Sequence, residues 1–206
     1  MSILINRGEK SLGGILILAE VITKTYVDKQ KRHICQCDIF SNIEYIEHAE
    51  EYDEFIEISK IIFPKVIILT QACDLQQDFK AREQNIHGEN NDKYLMSVLV
   101  APLYNFEDFR NGEHLMQLHL KMANQGKLKG STCSNILKNE NKRYHYLKFD
   151  NNQIPESVVD FKHYFTVNIL YLYSRYKQNY ICSIECLYRE LILQRFTNFL
   201  SRIGLP

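Results

Sequence analysis

The chain has 206 residues, of which 45% are hydrophobic and 12% aromatic, so it can bury the core of one ample domain. Its formal net charge is zero, which gives no overall attraction to a polyanion, and no stretch reaches the roughly 18 apolar residues of a membrane span. The opening "MSILINRGEK" has no signal peptide and the six cysteines lack the C-x-x-C spacing of a zinc site, so we expect a cytoplasmic protein with free thiols and without metal or cofactor.

The first half of the chain predicts a sheet. "GGILILAEVITKTYVDK" predicts one strand, and "KRHICQCDIFSNIEYI" predicts a second, because its side chains alternate in character. The acidic "EHAEEYDEFIEIS" is expected to be helical or irregular, with a return to the sheet near its end. "PKVIILTQ" predicts a buried central strand, and "YLMSVLVAPLY" predicts a fourth strand that is apolar enough to be covered on both faces.

The second half mixes helices, loops and strands. "NFEDFRNGEHLMQLHLKM" predicts a short helix. The Gly-, Lys- and Ser-rich "ANQGKLKGSTCSN" predicts a mobile loop, and it does not match a phosphate-binding P-loop. "KRYHYLKF" and "SVVDFKHYFTVNILYL" each predict a strand.

The C-terminal segment gives the clearest helix signal. Ser183 is a suitable cap, and the apolar side chains that follow recur at a period of 3.6 residues up to a Gly and Pro stop. We therefore predict a helix over about residues 183–203. Together the elements predict a single α+β domain over residues 1–206. Its core at about 12–168 is a strongly curved, mostly antiparallel, small barrel-like sheet with extra helices and loops.

Charge is unevenly distributed along this neutral chain. Residues 38–57 hold eight acidic side chains and no Lys or Arg, whereas residues 121–143 hold six basic side chains and one acid. Tyr144 and Tyr146 follow the basic segment, and cations interleaved with aromatic rings suit single-stranded RNA. The alternative is a solvated lysine loop. The candidate RNA-binding residues of this segment are Lys127, Lys129 and Lys142.

Four short markers resemble those of the PemK/MazF family of toxins. "GGILIL" is similar to the family's opening "G-(D/E)-I" strand, and "FPKVIILTQ" to its "R-P-V-V-V-L-S" strand. "SVLVAPLY" is similar to its "V-x-P-[IL]-T" strand, and "VVDFKHYFTV" to a strand near "v-D-x-x-x-x-x-t-V". The resemblance covers about residues 12–168 and implies a small barrel-like fold; many members cut RNA. Size and class are also similar to the toxin-like portion of a CRISPR-associated protein that its partner protease cuts, which implies antiviral defence.

The two positions that carry catalysis in this family differ here. The resemblance places the family's catalytic Arg at Phe63 and its catalytic Thr at Tyr104, so Tyr104 is a candidate site residue. Two functions stay open. One is a toxin-like endoribonuclease that cleaves single-stranded or ribosome-associated RNA by 2′-OH transesterification with other side chains. The other is a non-catalytic interaction domain of the same fold that holds, or is released from, a controlling protein such as an antitoxin, a protease or a sigma factor.

The polar end of the central strand is the first candidate site. "KVIILTQACDLQQDF" changes abruptly from an apolar run to polar side chains, and loops at the edge of a rigid sheet commonly hold binding residues. Asp74 is a candidate base or orienting carboxylate, and Gln71 a candidate RNA-binding residue. Cys73 is a candidate nucleophile for a thiol-dependent hydrolase, which is a third function. The alternative is a strand that leaves the core, with Cys73 as a small core residue.

"KRYHYL" is the second candidate site. Alternation in a strand places Arg143 and His145 on one face. Cleavage at the 2′-OH of RNA needs a base and an acid, which His can supply near neutral pH, and a cation for the phosphate, which Arg can supply. We expect these two residues and Asp74 to face one groove as the catalytic group. The alternative is a strand with a solvated polar face.

"DFKHYF" repeats this pattern less clearly. In a strand, Lys162 would share a face with Tyr164, and His163 would lie between Phe161 and Phe165. Lys162 is therefore a candidate phosphate contact. His163 is expected to be a core histidine rather than a catalyst.

Overall fold

Nine strands form one mixed, largely antiparallel sheet in the computed structural model, which describes residues 22–28, 31–84, 91–120, 128–150 and 153–202. The strands are β1 (Ile22–Thr23), β2 (Thr25–Tyr26), β3 (Asp38–Glu51), β4 (Ile56–Ile68), β5 (Ser97–Asn105), β6 (Tyr144–Phe149), β7 (Ser157–Asp160), β8 (Phe165–Asn168) and β9 (Tyr180–Ile184). Their order across the sheet is β1-β6-β7-β5-β4-β3-β9-β2, with β8 also paired to β5. The predicted α+β class is confirmed.

Helices connect and cover the strands of this sheet. The helices are α1 (Ala72–Gln84), α2 (Phe106–Asn111), α3 (Gly130–Leu137), α4 (Ile169–Asn179) and α5 (Cys186–Leu200), and 3-10 turns lie at Asn91–Lys93, Met116–Leu118 and Phe161–His163. Asparagine side chains start two helices, because Asn105 Oδ1 and Asn168 Oδ1 each accept two backbone N–H groups of the first turn. In the described part of the chain, no helix is both long and apolar enough to cross a membrane.

The last part of β4, residues 66–68, is buried on both faces, as predicted for the central strand. Val66 and Ile68 pack into one core with Leu172 of α4, whereas Ile67 packs into a second core with Phe196 of α5. Successive strand residues point to opposite faces, so the apolar run supplies both cores at once. This explains why the run is continuous rather than alternating.

The long last helix is confirmed, but its predicted cap is wrong. Ser183 lies in β9 and is fully buried, and its hydroxyl donates a hydrogen bond to Asp38 Oδ1 at 2.6 Å. The helix begins at Cys186, with Glu185 at the N-cap position. Ser183 therefore belongs to the end of a strand and not to the start of the helix, because its hydroxyl binds the buried carboxylate of Asp38.

The predictions for the second strand and the acidic segment are each right in part, since β3 begins at Asp38 and the chain returns to the sheet at Ile56. Residues 31–37 are not strand, because Cys37 adopts a φ of 59° and Cys35 N–H turns onto the Asp38 carboxylate. The acidic residues 47–51 are strand, since β3 runs on to Glu51 opposite β4. The backbone groups of β3 and β4 are paired with each other across this segment. That pairing outweighs the weak strand propensity of glutamate.

Three further predictions differ from the structure. Helix α1 replaces a simple exit from the central strand, and α3 begins within the predicted mobile loop at Gly130. The predicted strand at 157–172 is divided into β7, a 3-10 turn, β8 and the start of α4. Much of the first predicted strand, the turn at 85–90 and Lys127 lie outside the described residues.

A buried lysine holds the segment before β3 against β9. Lys31 Nζ lies 2.6 and 2.8 Å from the two oxygens of Asp38 and 2.9 Å from Ser183 Oγ. Tyr180 Oη is 2.8 Å from the same serine hydroxyl. Burial alone would lower the pKa of Lys31, but the facing carboxylate outweighs it and raises that pKa. The lysine is therefore a structural cation, stabilised by a complete set of partners.

The strand path does not close, yet its two ends are neighbours in sequence. β1 pairs in parallel with β6, β2 pairs with β9, and only Lys24 separates β1 from β2. The N–H and hydroxyl of Thr25 donate to Asp150 Oδ1 at 3.2 and 3.0 Å, just after β6. One short segment thus contacts both ends of the sheet.

Candidate functional site

The polar end of the central strand is a strand-to-helix junction. Thr70 Oγ1 accepts the N–H of Leu99 at 2.7 Å, which ties the junction to β5. Gln71, Cys73 and Asp74 are exposed, and the Cys73 thiol lies 3.5 Å from an oxygen of each of the other two. An acidic residue in the first turn stabilises a helix through its dipole. The abrupt polar change that the sequence shows therefore has a structural explanation.

His145 faces the core and not a groove. It exposes only 2% of its surface, and its ring centroid lies 6.2 Å from that of Phe161. Burial lowers the pKa of His145 to about 3, and the nearby Arg195 cation contributes in the same direction. His145 is therefore neutral at physiological pH and is out of reach of a substrate. Its Nδ1 has no hydrogen-bond partner within the described residues.

Arg143 binds a buried carboxylate instead of lying beside His145. Its Nε and Nη2 donate to the two oxygens of Asp160 at 2.7 and 2.5 Å. Asp160 is fully buried and also accepts the backbone N–H of Lys162 at 3.0 Å. These bonds with the carboxylate raise the pKa of Arg143. Three hydrogen bonds thus fix the Asp160 carboxylate at the end of β7.

His163 lies in this network because residues 161–163 turn rather than extend. Its Nδ1 is 3.3 Å from Asp160 Oδ2 and 3.1 Å from Tyr104 Oη. Burial lowers the pKa of His163, although Asp160 partly offsets the effect, so the imidazole is neutral at pH 7. The prediction of a core position between two Phe rings fails because the Asp160 side chain bonds a backbone N–H two residues on. Asp residues commonly start turns by accepting a backbone N–H two residues on. Asp160 is therefore the feature of the sequence that could have indicated a turn at residues 161–163.

A second histidine lies on the other side of Tyr104. The Tyr104 and His114 rings meet edge to face at 4.7 Å between centroids. His114 is 5% exposed, its Nδ1 lacks a partner within the described residues, and burial lowers its pKa to about 4. We call Tyr104, His114, Arg143, Asp160 and His163 the acid–base cluster. No local pattern in the sequence places His114 beside Tyr104, so only the structure brings the two together.

A cavity of about 140 Å³ opens beside the acid–base cluster. It is lined by Phe63, Pro64, Lys65, Leu103, Tyr104, Asn105, Asp108 and His114. Phe63 of β4 and Tyr104 of β5 therefore line one cavity. Lys65 supplies a cation to this cavity and lies two residues after Phe63 on β4.

Cationic and aromatic residues flank His163, either next to it in the chain or through the shared Asp160. The side chains of Arg143 and His163 are 31% and 32% exposed, and Lys162 is exposed between β7 and β8. The Arg143 guanidinium lies 4.8 Å from the Tyr144 ring centroid, and Tyr164 is exposed next to His163. Positive groups beside aromatic faces suit a single-stranded nucleic acid.

The remaining candidate residues lie apart from this cluster. In the described structure no hydrogen bond joins Asp74 to Arg143 or His145. Lys129 is exposed at the start of α3. Lys142 lines a separate cavity of about 400 Å³, whose other lining residues are Arg195, Asn198, Ser201 and Arg202.

Neither a metal centre nor a known relative identifies the site. The residues that the structure describes contain no group of three or more His, Cys, Asp or Glu that could hold a metal ion. Comparisons of the chain with protein-family models, curated proteins and solved structures find no match.

Proposed function

We propose that this protein cleaves single-stranded or ribosome-associated RNA by 2′-OH transesterification at the acid–base cluster. One observation carries the proposal: a half-exposed neutral His163 is oriented by the buried Asp160, which also binds Arg143. A neutral imidazole fixed by a carboxylate is the arrangement that a general base requires. The adjacent guanidinium is the group best suited to bind a phosphate.

The proposed reaction uses His163 as the base. Its Nδ1 carries a hydrogen shared between Asp160 Oδ2 and Tyr104 Oη, which leaves Nε2 free to accept the proton of a ribose 2′-OH. The 2′-oxygen bonds to phosphorus, the bond to the 5′-oxygen breaks, and the products are a 2′,3′-cyclic phosphate and a 5′-hydroxyl. The Lys162 ammonium supplies the proton of the leaving oxygen, and Arg143 stabilises the charge on the phosphoryl oxygens.

The resemblance to the PemK/MazF family supports a related site position. Phe63 and Tyr104 line the cavity beside the cluster, so the chemistry is proposed to have moved from these positions to the neighbouring His163 and Arg143. We also propose that the sheet is barrel-like, because β1 and β2 lie at opposite ends of the strand path and are separated only by Lys24.

The proposal is tested with a labelled single-stranded RNA and with a translating extract, in case the substrate is on the ribosome. We expect cleavage that leaves 2′,3′-cyclic phosphate ends, and no cleavage of the same strand made with 2′-deoxyribose. The variant Asp160→Asn should reduce the rate roughly a hundredfold or more, because the base loses its orientation. Cleavage of the 2′-deoxy strand would refute the mechanism.

A second candidate function is a protein-interaction domain without catalysis. The observation that favours it is the Arg143–Asp160 pair, which satisfies two donors of the guanidinium without any ligand. In this case Arg143 would be a structural residue of β6 and β7. Absence of RNA cleavage by the wild type, in buffer and in the extract, would favour this function over the first.

A further inference from the structure

The end of the β3–β4 hairpin stands away from the rest of the sheet. β3 pairs with β9 only through residues 38–40, and β4 pairs with β5 only through residues 66–68. The pairing of β3 with β4 continues to Glu51 and Ile56. We call residues 46–62 the hairpin arm. Within the described strands neither edge of the arm is paired to another strand, and a lone two-stranded hairpin is marginally stable in water.

One face of the hairpin arm carries uncovered isoleucines, together with Lys60 opposite Ile46 and Glu51 opposite Ile56. Its four isoleucines are between 46% and 62% exposed: Ile46, Ile56, Ile58 and Ile62. Directly opposed residues share a face, and Ile58 lies opposite Ala49 while Ile46 lies opposite Lys60. A bulge between residues 46 and 48 keeps Ile46 and Ala49 on this same face. Clusters of large, exposed apolar side chains of this kind mark interaction sites.

The opposite face and the tip of the arm are acidic. Residues 47–57 of the arm contain six Asp or Glu and no Lys or Arg, and the arm's one lysine, Lys60, lies on the isoleucine face. Glu50 lies directly opposite Glu57, and both are exposed. Like charges opposite each other destabilise an antiparallel pair, so a cation bound between them would stabilise the arm. The described neighbours supply only His48, which lies 3.4 Å from Glu50.

We infer that the hairpin arm binds one strand of a partner protein in which aliphatic and basic side chains alternate. Such a strand would pair with a free edge of the arm, place its aliphatic side chains beside the isoleucine face and place its Lys or Arg beside Glu50 and Glu57. A second copy of this chain fits less well, because pairing two arms would bring two sets of like charges together. The inference rests on the second proposed function and names its surface and partner.

The probe is a short, blocked, fluorescent peptide of alternating Ile and Lys, compared with a peptide of the same composition in two blocks. We expect the full chain to bind the alternating peptide and to gain hydrogen-exchange protection within residues 46–62. Ile58→Thr, which keeps strand propensity, should weaken binding roughly tenfold. Glu57→Gln should weaken binding at low salt and flatten its salt dependence. Leu187→Ala, at an exposed leucine of α5, is the matched control and should change nothing.

Three results would overturn the inference. The first is equal binding of the two peptides, and the second is equal loss of binding in Leu187→Ala. The third is a wild-type dimer that Ile58→Thr converts to a monomer, which would make a second copy the occupant. The RNA assay is read separately on the same proteins, because Ile58 is outside the acid–base cluster. A chain that binds the peptide but cuts no RNA would refute the first function and leave this inference standing.

Discussion

Lowering the pH should reduce the free energy of unfolding of this protein, because His145 is buried in its neutral form. The size of the loss follows from the lowered pKa of His145. The folded-state pKa of His145 is about 3, below its ordinary value of 6.5, because the ring is buried in the core. Between these two pH values the unfolded chain binds more protons than the folded one. Stability is therefore fully present above pH 6.5 and is lost as the pH falls. From pH 7 to pH 5 the loss due to this one group is about 2 kcal/mol.

The variant His145→Leu isolates this contribution. Leucine is close in size to histidine and leaves no unpaired buried nitrogen. The stability of the variant at pH 7 should therefore equal or exceed that of the wild type. Urea unfolding at pH 5, 6 and 7 measures the free energy of unfolding of both proteins. We expect the wild type to lose about 2 kcal/mol more than His145→Leu over this range. His48→Leu, at an exposed histidine of the hairpin arm, is the control and should follow the wild type. Parallel pH profiles for wild type and His145→Leu would refute the reasoning.

Three further predictions follow from other contacts. Lys31→Met should lower the free energy of unfolding in urea by about 3–5 kcal/mol, because it leaves Asp38 buried and unpaired. The double variant Lys31→Met, Asp38→Leu should recover most of that loss. Arg195→Lys should lower stability by about 2–4 kcal/mol, because Arg195 bonds three backbone carbonyls with a planar group that lysine cannot replace; the thermal midpoint checks this. Lys129→Gln with Lys142→Gln should reduce the salt slope of RNA affinity by about 1.4, measured by anisotropy at several salt concentrations.

The sequence was most informative where apolar patterns were strongest. The run from Val66 to Leu69 predicts a strand covered on both faces, and its alternate residues do pack into two cores. The helical period after residue 183 likewise predicts α5. The strand at residues 98–100 is confirmed in β5. Burial of many apolar side chains dominates the energetics of these elements, so local pattern is sufficient to predict them.

The elements that the sequence predicts wrongly depend on single polar contacts, some of them between residues far apart in the chain. Ser183 is a good helix cap by local rules, but it is in a strand because it binds Asp38, which lies far away in sequence. His163 was expected in the core, and the bond from Asp160 to a backbone N–H turns it toward Tyr104. Such contacts are specified by tertiary structure. Local propensity cannot predict them, and the sequence therefore indicates only Tyr104 and Arg143 of the acid–base cluster as site residues.

We propose that His163, and not His145, is the base that cleaves RNA. The most direct measurement is the cleavage rate of single-stranded RNA, in buffer and in a translating extract, by wild type, His163→Ala and His145→Leu. We expect His163→Ala to lose roughly a hundredfold or more and to recover activity when imidazole is added, whereas His145→Leu cleaves at close to the wild-type rate at pH 7. Wild-type cleavage that persists in His163→Ala and is abolished in His145→Leu would contradict the account.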